Sequence, residues 1–244
     1  MEKLNRNETK EDCNQDPSLG VLYVVSTPIG NLEDITIRAL RVLKEVRIVA
    51  AEDTRHTQKL LSHYHIHTTL TSYHDFNKEH KTPLLLQRLR EGQDIALVSD
   101  AGTPVISDPG YFLITRCVLS GIKVVPLPGA SAVLAALSVS GLPSDTFLFE
   151  GFLPRRSVAR LKRLAALKTE GHTLIIFESP HRVGKTLADI KTVMGARRAV
   201  LARELTKKFE EIIRGTLDDL IHCTETRNLK GEMTLLVAAE KVEC

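Results

Sequence analysis

The sequence has no tryptophan and only 5% aromatic residues, so a binding surface built mainly on large stacked rings is not expected. Its four cysteines are dispersed, without the CxxC spacing of a zinc site or a disulfide framework: Cys13, Cys117, Cys223 and Cys244. No apolar run reaches the roughly 18 residues of a membrane span. The polar N-terminus also lacks the apolar core of a signal peptide. These absences predict a cytoplasmic protein.

The composition is that of a globular protein with a core of ordinary size, with 43% hydrophobic and 26% charged residues in a chain of 244. The net charge of +3 is unevenly distributed. Residues 128–244 carry +4, residues 20–127 carry +1, and residues 1–19 carry −2. The positive excess of the C-terminal half favours an anionic partner.

The stretch 99–110, SDAGTPVISDPG, follows the short apolar run 95–98, which predicts a buried strand. Its prolines, glycines and Asp-containing turns hold the backbone in a fixed, non-repeating path. A loop at the carboxyl end of a parallel strand is where open α/β sheets bind ligands. The alternative is a loop with a purely structural role.

The first half of the chain alternates strands with helices, which predicts an α/β domain with a parallel sheet. Strands are expected at 22–25, 46–51, 95–98 and 123–127. Because parallel strands end at one edge of a sheet, the loops 26–34, 52–55 and 99–110 could line one cleft. The helix that follows Pro128 would offer free N–H groups to a ligand there.

The second half predicts a mixed α+β domain, with strands near 146–149, 173–177, 200–202, 212–215 and 234–238. Three segments follow: a disordered extension over residues 1–19, an N-terminal α/β domain over 20–127 and a C-terminal α+β domain over 128–241.

Two patterns suggest functional sites that their spacing does not support. Five histidines between residues 63 and 80 suggest a metal site, but their spacing matches no common ligand cage, which favours a polar helix–loop region. The segment 183–186, VGKT, resembles a P-loop, yet Ser179 stands where the first glycine of that motif is required. Neither a metal nor P-loop nucleotide hydrolysis is therefore expected.

A basic segment follows residue 154, with no acidic residue between its members. Such a segment is typical of a surface that contacts phosphates. The alternative is a solvated helix face. The predicted RNA-binding residues are Arg155, Arg156, Arg160, Lys162 and Arg163, together with Arg55 at the end of the second strand.

Seven motifs occur in a fixed order along residues 20–240. They are Thr27-Pro28-Ile29-Gly30-Asn31, Glu52-Asp53-Thr54-Arg55, the 99–110 loop, Pro126-Leu127-Pro128-Gly129-Ala130-Ser131-Ala132, Gly151-Phe152-x-Pro154, Glu178-Ser179-Pro180-x-Arg182 and Arg203-Glu204-Leu205-Thr206-Lys207. Together they resemble the bacterial small-subunit ribosomal RNA methyltransferases of the tetrapyrrole methylase superfamily. The resemblance implies a two-domain class III methyltransferase, active as a homodimer, with S-adenosylmethionine folded in the interdomain cleft. It further implies methylation of a cytidine ribose 2′-hydroxyl in the decoding region of 16S rRNA, in the 30S subunit.

The resemblance also assigns cofactor contacts residue by residue. They are Pro28, Gly30, Ser99, Asp100, Ala101, Gly102, Thr103, Pro104, Ser131, Ala132, Glu178, Leu205 and Met233. Ser99 and Ala101 depart from the Gly and Pro of the tetrapyrrole enzymes, so the alignment beyond Asp100 is less specific.

A ribose hydroxyl is a weak acid, so a base or a charge that stabilises the alkoxide should assist methyl transfer. The candidates are Asp100, Glu178, Glu204 and Lys207, and the sequence does not choose among them. Two other functions stay open: C-methylation of a tetrapyrrole by the same fold, and a non-catalytic module that binds rRNA.

Overall fold

The computed structural model describes Asp16 and residues 18–239. Most of the predicted disordered extension over residues 1–19, and the last residues of the predicted C-terminal domain, lie outside this range. The strands are β1 (Leu22–Val25), β2 (Ile48–Ala51), β3 (Thr69–Ser72), β4 (Ile95–Val98), β5 (Val124–Leu127), β6 (Phe147–Phe152), β7 (Thr173–Glu178), β8 (Arg198–Arg203), β9 (Glu211–Thr216) and β10 (Met233–Val237). The α-helices are α1 (Ile37–Glu45), α2 (Thr54–His63), α3 (Lys78–Arg90), α4 (Tyr111–Leu119), α5 (Ala132–Ser140), α6 (Ser157–Leu167), α7 (Val183–Met194) and α8 (Leu217–Thr226).

The first sheet is entirely parallel, in the order β3-β2-β4-β1-β5. Its central strand β4 is buried along its whole length, as its continuous apolar sequence predicts. One face packs against α1 and α2 through a cluster that includes Val42 and Leu61. The other face packs against α3 and α4, with Leu89 and Leu113 in the core. The loops after β1, β2 and β4 therefore emerge at one edge.

Strand β3 was not expected, because the region between residues 63 and 80 predicted only a polar helix and loop. The strand has the sequence Thr-Leu-Thr-Ser and pairs with β2 alone. A short polar strand at the edge of a sheet leaves little alternating hydrophobicity to detect, and it discourages pairing with other chains. Of the histidines here, His74 contacts Asn77 at 3.1 Å.

The second sheet is mixed, in the order β6-β7-β10-β8-β9, with only the β6–β7 pair parallel. Helices α6, α7 and α8 cover one face. Helix α5 covers part of the other face, where Val133 and Leu137 pack with Ile175 and Val200. The chain thus passes from the first sheet to the second between Leu127 and Ala132. The predicted α/β class, with a parallel and a mixed part, is confirmed.

The segment 183–186 forms the first turn of α7 rather than a phosphate-binding loop. Thr186, which would bind a metal in a P-loop, instead donates its hydroxyl proton to Glu178 Oε2 at 2.6 Å. Across residues 18–239 no helix is long and apolar enough to cross a membrane. The same residues include no group of three His, Cys, Asp or Glu side chains that could hold a metal ion.

Candidate functional site

A cavity of about 360 Å³ lies between the two sheets. The first half contributes the loop after β1 and the loop after β4. The second half contributes the start of α5, the ends of β6 and β7, the turn after β8 and the start of β10. The lining residues are Ile29, Ala101, Gly102, Thr103, Ile106, Ser107, Asp108, Ser131, Ala132, Val133, Phe152, Phe177, Glu178, Ser179, Pro180, Ala202, Leu205, Gly231, Glu232, Met233 and Thr234.

The loop after β4 is tied firmly to its neighbours. The N–H of Thr27 donates to Gly102 O at 2.9 Å, and the N–H of Gly102 donates back to Thr27 O at 3.0 Å. The hydroxyl of Thr103 reaches both Ser26 Oγ at 3.0 Å and Ala130 O at 3.3 Å. Four positions of this loop have positive φ, including the non-glycine residues Val105 and Ser107. Backbone strain of this kind persists only where surrounding contacts enforce it, and it is typical of ligand sites.

Helix α5 begins at the cavity. The hydroxyl of Ser131 caps it by accepting from the N–H of Leu134. Gly129 is required in the preceding turn, because a Cβ there would lie 2.7 Å from Ser26 Cβ. This close approach places the first turn, with Ala132 and Val133, on the cavity wall. The unpaired N–H groups of a helix start favour a polar or anionic ligand group there.

Glu178 is buried at the end of β7, and its oxygens are engaged within the protein. Oε1 accepts from the N–H of Ser179 at 2.9 Å and lies 3.4 Å from Arg182 Nε. Oε2 accepts from Thr186. Arg182 in turn donates to Leu153 O at 2.8 Å, after β6. Glu178 therefore positions the loops around the cavity.

A carboxylate–lysine group adjoins the cavity through Glu232, which directly precedes β10. Lys207 Nζ lies 3.1 Å from Glu204 Oε1 and 3.2 Å from Glu232 Oε2. The pKa of Glu204 is lowered, mainly by a hydrogen bond from the N–H of Glu232 and further by Lys207. Burial opposes the charged form of Lys207, but Glu204 and Glu232 raise its pKa overall. Lys207 is therefore a stable cation rather than a base at neutral pH.

Gly30 lies against this turn instead of in the cavity. A Cβ at Gly30 would be 2.5 Å from Lys207 Cγ and 2.8 Å from Leu205 O. Only glycine allows the β1 loop to approach the second half so closely. Gly30 thus packs the two halves together beside the cavity.

Asp100 points away from the main cavity towards β2. Its Oδ1 accepts from the N–H of Asp53 at 3.0 Å. Together with Pro28 and Ser99, it lines a smaller pocket of about 160 Å³ beside His56. The loop 52–55 therefore lies behind Asp100 and does not line the main cavity, in contrast to the expectation of a single cleft.

Of the predicted cofactor residues, the main cavity brings together Ala101, Gly102, Thr103, Ser131, Ala132, Glu178, Leu205 and Met233. Pro104 lines neither pocket. Several lining residues are not among the predicted cofactor contacts. Ile106 and Asp108 belong to the 99–110 loop, and Phe152 belongs to the Gly151-Phe152-x-Pro154 motif, so the signals for these residues are present in the sequence.

Asp108 has a raised pKa, mainly because it is buried, with a further contribution from the charge of Asp100. Burial also raises the pKa of Glu52, and the charges of Asp108 and Asp100 add to this effect. The predicted catalytic candidates do not form one cluster: Glu178 is at the cavity wall, Asp100 is in the smaller pocket, and Glu204 pairs with Lys207.

The predicted RNA-binding residues differ in their exposure and in their partners. Arg155, Arg156 and Lys162 are exposed. Arg163 is half-exposed and forms two hydrogen bonds with Glu150, at 2.5 and 2.7 Å. Arg160 does not belong to the exposed surface.

Arg160 is 4% exposed, and its guanidinium binds Asp189 Oδ2 at 2.6 and 2.7 Å. It also donates to Pro154 O and Arg155 O, so it holds the loop before α6 in place. Arg55, on the other half of the molecule, is exposed, and its guanidinium binds both oxygens of Asp53. This contact lowers the pKa of Asp53.

Residues 21–221 match the model of the family described as Tetrapyrrole (Corrin/Porphyrin) Methylases. The chain belongs to this family. It is 50% identical over 238 residues to a ribosomal RNA small subunit methyltransferase I of Halalkalibacterium halodurans, covering 97% of this chain and 82% of that one. It is 54% identical over 220 residues to the Vibrio cholerae protein of the same name, covering 89% and 76%.

Solved structures share the tetrapyrrole methylase fold. A diphthine synthase superposes with a TM-score of 0.72 at 16% identity, covering 92% of each chain. The uroporphyrin-III C-methyltransferase of Thermus thermophilus superposes with a TM-score of 0.62 at 18% identity, covering 90% of this chain and 97% of that one. The Thermus enzyme was complexed with S-adenyl homocysteine.

Proposed function

We propose that this protein transfers a methyl group from S-adenosylmethionine to the ribose 2′-hydroxyl of a cytidine in the decoding region of 16S rRNA. The observation that carries the proposal is a cavity between the two halves whose wall is mainly apolar. Strand β6 ends at this cavity with Phe152, and Arg155 and Arg156 are exposed shortly after it in the chain. The names of the curated relatives support rRNA as the substrate class. A ribosomal substrate also supports a cytoplasmic location.

The cavity fits S-adenosylmethionine in size and chemistry. Its volume lies at the lower end of the range for small-molecule sites. Apolar side chains such as Ile29, Val133 and Leu205 suit an adenine ring, and the carboxylates of Asp108, Glu178 and Glu232 suit a cation. When bound, S-adenosylmethionine supplies an electrophilic methyl group on a positively charged sulfur.

The residues of this chain supply positioning and electrostatics. The cavity walls exclude water from the reacting groups, and the strained loop after β4 is already fixed by its hydrogen bonds, so little order is lost on binding. Among the catalytic candidates, Glu178 is engaged with Arg182 and Thr186, so it holds the wall in place. The cation of Lys207 is suited to stabilise developing negative charge, whereas Asp100 faces the smaller pocket.

The test is methyl transfer from labelled S-adenosylmethionine to purified 30S subunits that lack the modification, followed by mapping of the labelled nucleotide. Label on a 2′-O-methylcytidine of 16S rRNA is the expected result. Naked 16S rRNA serves as a parallel substrate and distinguishes the assembled subunit from free RNA. Cofactor binding without transfer to either RNA would contradict the proposal and would favour a tetrapyrrole acceptor. Tight RNA binding without cofactor affinity would favour the non-catalytic module.

We also propose that the protein is a homodimer, as the family resemblance implies. Large apolar side chains on α4, Tyr111, Val118 and Leu119, are exposed and spaced to lie on one side of the helix. Such a row is typical of a protein–protein interface. A mass of one chain by light scattering at micromolar concentration would contradict the proposal.

A further inference from the structure

Strand β6 contains an irregularity that changes the face on which its last residue lies. Phe149 pairs with Ile175 of β7, but Gly151 pairs with Ile176 and Phe152 with Phe177, so one extra residue is inserted. Gly151 has φ of +71°, a conformation that favours glycine in such a bulge. Without the bulge, Phe149 and Phe152 would lie on opposite faces, because they are three residues apart.

The bulge therefore places Phe152 on the cavity face of the sheet, next to Phe149. The rings of both residues contact Phe177, with centroids 5.7 Å away for Phe152 and 4.9 Å away for Phe149. The extra residue, Glu150, binds Arg163 of α6. The bulge thus anchors α6 and directs an aromatic ring towards the cavity.

Phe152 lines the cavity and yet is 59% exposed, so the ring stands at the rim. Ile106, on the loop after β4, also lines the cavity and is 45% exposed. The two segments touch: a Cβ at Gly151 would lie 2.9 Å from Ser107 Oγ. An aromatic face and an aliphatic side chain from the two halves therefore border the cavity opening.

The residues that follow Phe152 in the chain add exposed positive charge. Arg155 and Arg156 are exposed, and within residues 18–239 no ion pair is formed by either guanidinium. Arg160, from within α6, fixes the carbonyls of Pro154 and Arg155, so the segment has a defined path. An aromatic ring beside unpaired arginines is the combination that binds an unstacked base and its flanking phosphates in single-stranded RNA.

We propose that Phe152 is the platform on which the base of the target nucleotide stacks when that nucleotide leaves its helix or loop. Ile106 covers the other side of the base, and Arg155 and Arg156 contact the adjacent phosphates. Stacking brings the ribose of the target to the cavity opening, where the methyl group is supplied. This inference rests on the proposed function and assigns its substrate-recognition residue.

The test compares 30S subunits reconstituted with 16S rRNA that carries either the normal nucleotide or an abasic ribose at the mapped target position. Wild type is expected to bind the abasic subunits about five- to a hundredfold more weakly, which is the usual effect of one stacked base. Phe152→Ala should bind normal subunits as weakly as wild type binds abasic subunits. The affinity of this variant should be the same for normal and abasic subunits. Phe152→Trp should restore the difference in affinity between normal and abasic subunits. Phe147→Ala, at the other end of β6, is the matched control and should bind both kinds of subunit as wild type does.

An abasic penalty of equal size in wild type and Phe152→Ala would overturn the proposal. So would a large loss of S-adenosylmethionine affinity in Phe152→Ala, measured by calorimetry without RNA, because the ring would then contact the cofactor. Absence of methyl transfer to normal subunits by the wild type would instead refute the proposed function. The two failures are therefore distinguishable.

Discussion

Asp108 differs from the other carboxylates of the cavity because few hydrogen bonds or ion pairs offset its burial. Glu178 accepts from Ser179 and Thr186, and Glu232 pairs with Lys207. By contrast, the pKa of Asp108 is raised from its ordinary value of 3.8 by burial and by Asp100, and only a hydrogen bond with Ser99 opposes this. A cation in the cavity would favour the ionised form of Asp108.

We therefore expect the affinity for S-adenosylmethionine to rise as the pH increases through the raised pKa of Asp108, where this carboxyl group loses its proton. The sign follows because the cation binds the carboxylate better than the neutral acid, so binding releases a proton near this pKa. The effect should be roughly three- to tenfold, the size of one screened charge pair, measured by calorimetry.

The matched controls are Asp108→Asn and S-adenosylhomocysteine, whose sulfur is uncharged. Both should flatten the pH dependence of binding. An equal pH dependence of binding for S-adenosylmethionine and S-adenosylhomocysteine would show that the charge on the sulfur does not interact with Asp108.

At the scale of elements, the segment from β6 to α6 combines two kinds of arginine. Arg160 is buried with Asp189, and the removal of one partner of a buried ion pair leaves an uncompensated charge. Arg155 and Arg156 are exposed, so their charges contribute little to folding. Residues that look equivalent in the sequence therefore have different roles.

Arg160→Ala is expected to lower the free energy of unfolding by about 3 kcal/mol, measured in urea. Arg155→Glu with Arg156→Glu should leave stability nearly unchanged and weaken RNA binding. The slope of log affinity against log salt should fall by about 0.7 for each lost phosphate contact.

Arg38→Glu with Arg41→Glu, exposed on α1, is the matched charge reversal away from the cavity. It should retain most of the RNA affinity and the salt slope of the wild type. If the two charge reversals weakened RNA binding equally, the net charge of the protein alone would account for binding. Arg155 and Arg156 would then have no special role.

At the scale of the whole molecule, the cavity has walls from both halves, and each half has its own core. Buried clusters cover both faces of the first sheet and both faces of the second. The direct contacts beside the cavity are few and close, such as Gly30 against Lys207 and Ser107 against Gly151. A ligand in the cavity would therefore join the two halves.

S-adenosylmethionine at a hundred times its dissociation constant should add about 2.7 kcal/mol to the free energy of unfolding. Hydrogen exchange should show protection on both walls, in residues 101–108 and in residues 177–180 and 231–234. The edge around β3 serves as the internal control and should not change. Protection confined to one wall would contradict a cofactor held between the two halves.

The alternation of apolar runs with turn residues was enough to predict most strands, the parallel first sheet and the loop at 99–110 that lines the cavity. These features are local: buried strands require apolar side chains, and tight turns require Gly, Pro and Asp. The ordered motifs also sufficed to identify the family and eight of the cavity-lining residues, since the loops that carry them follow the strand ends.

Tertiary structure decided the rest, because it depends on partners distant in sequence. Arg160 is buried only because Asp189 on α7 lies opposite it. Glu232 reaches the cavity through the pairing of β10 with β7 and β8. The direction of Phe152 depends on a bulge defined by its register with β7. Side-chain burial, charge pairing and strand register are set by packing between elements, and the sequence of one segment does not contain its partner.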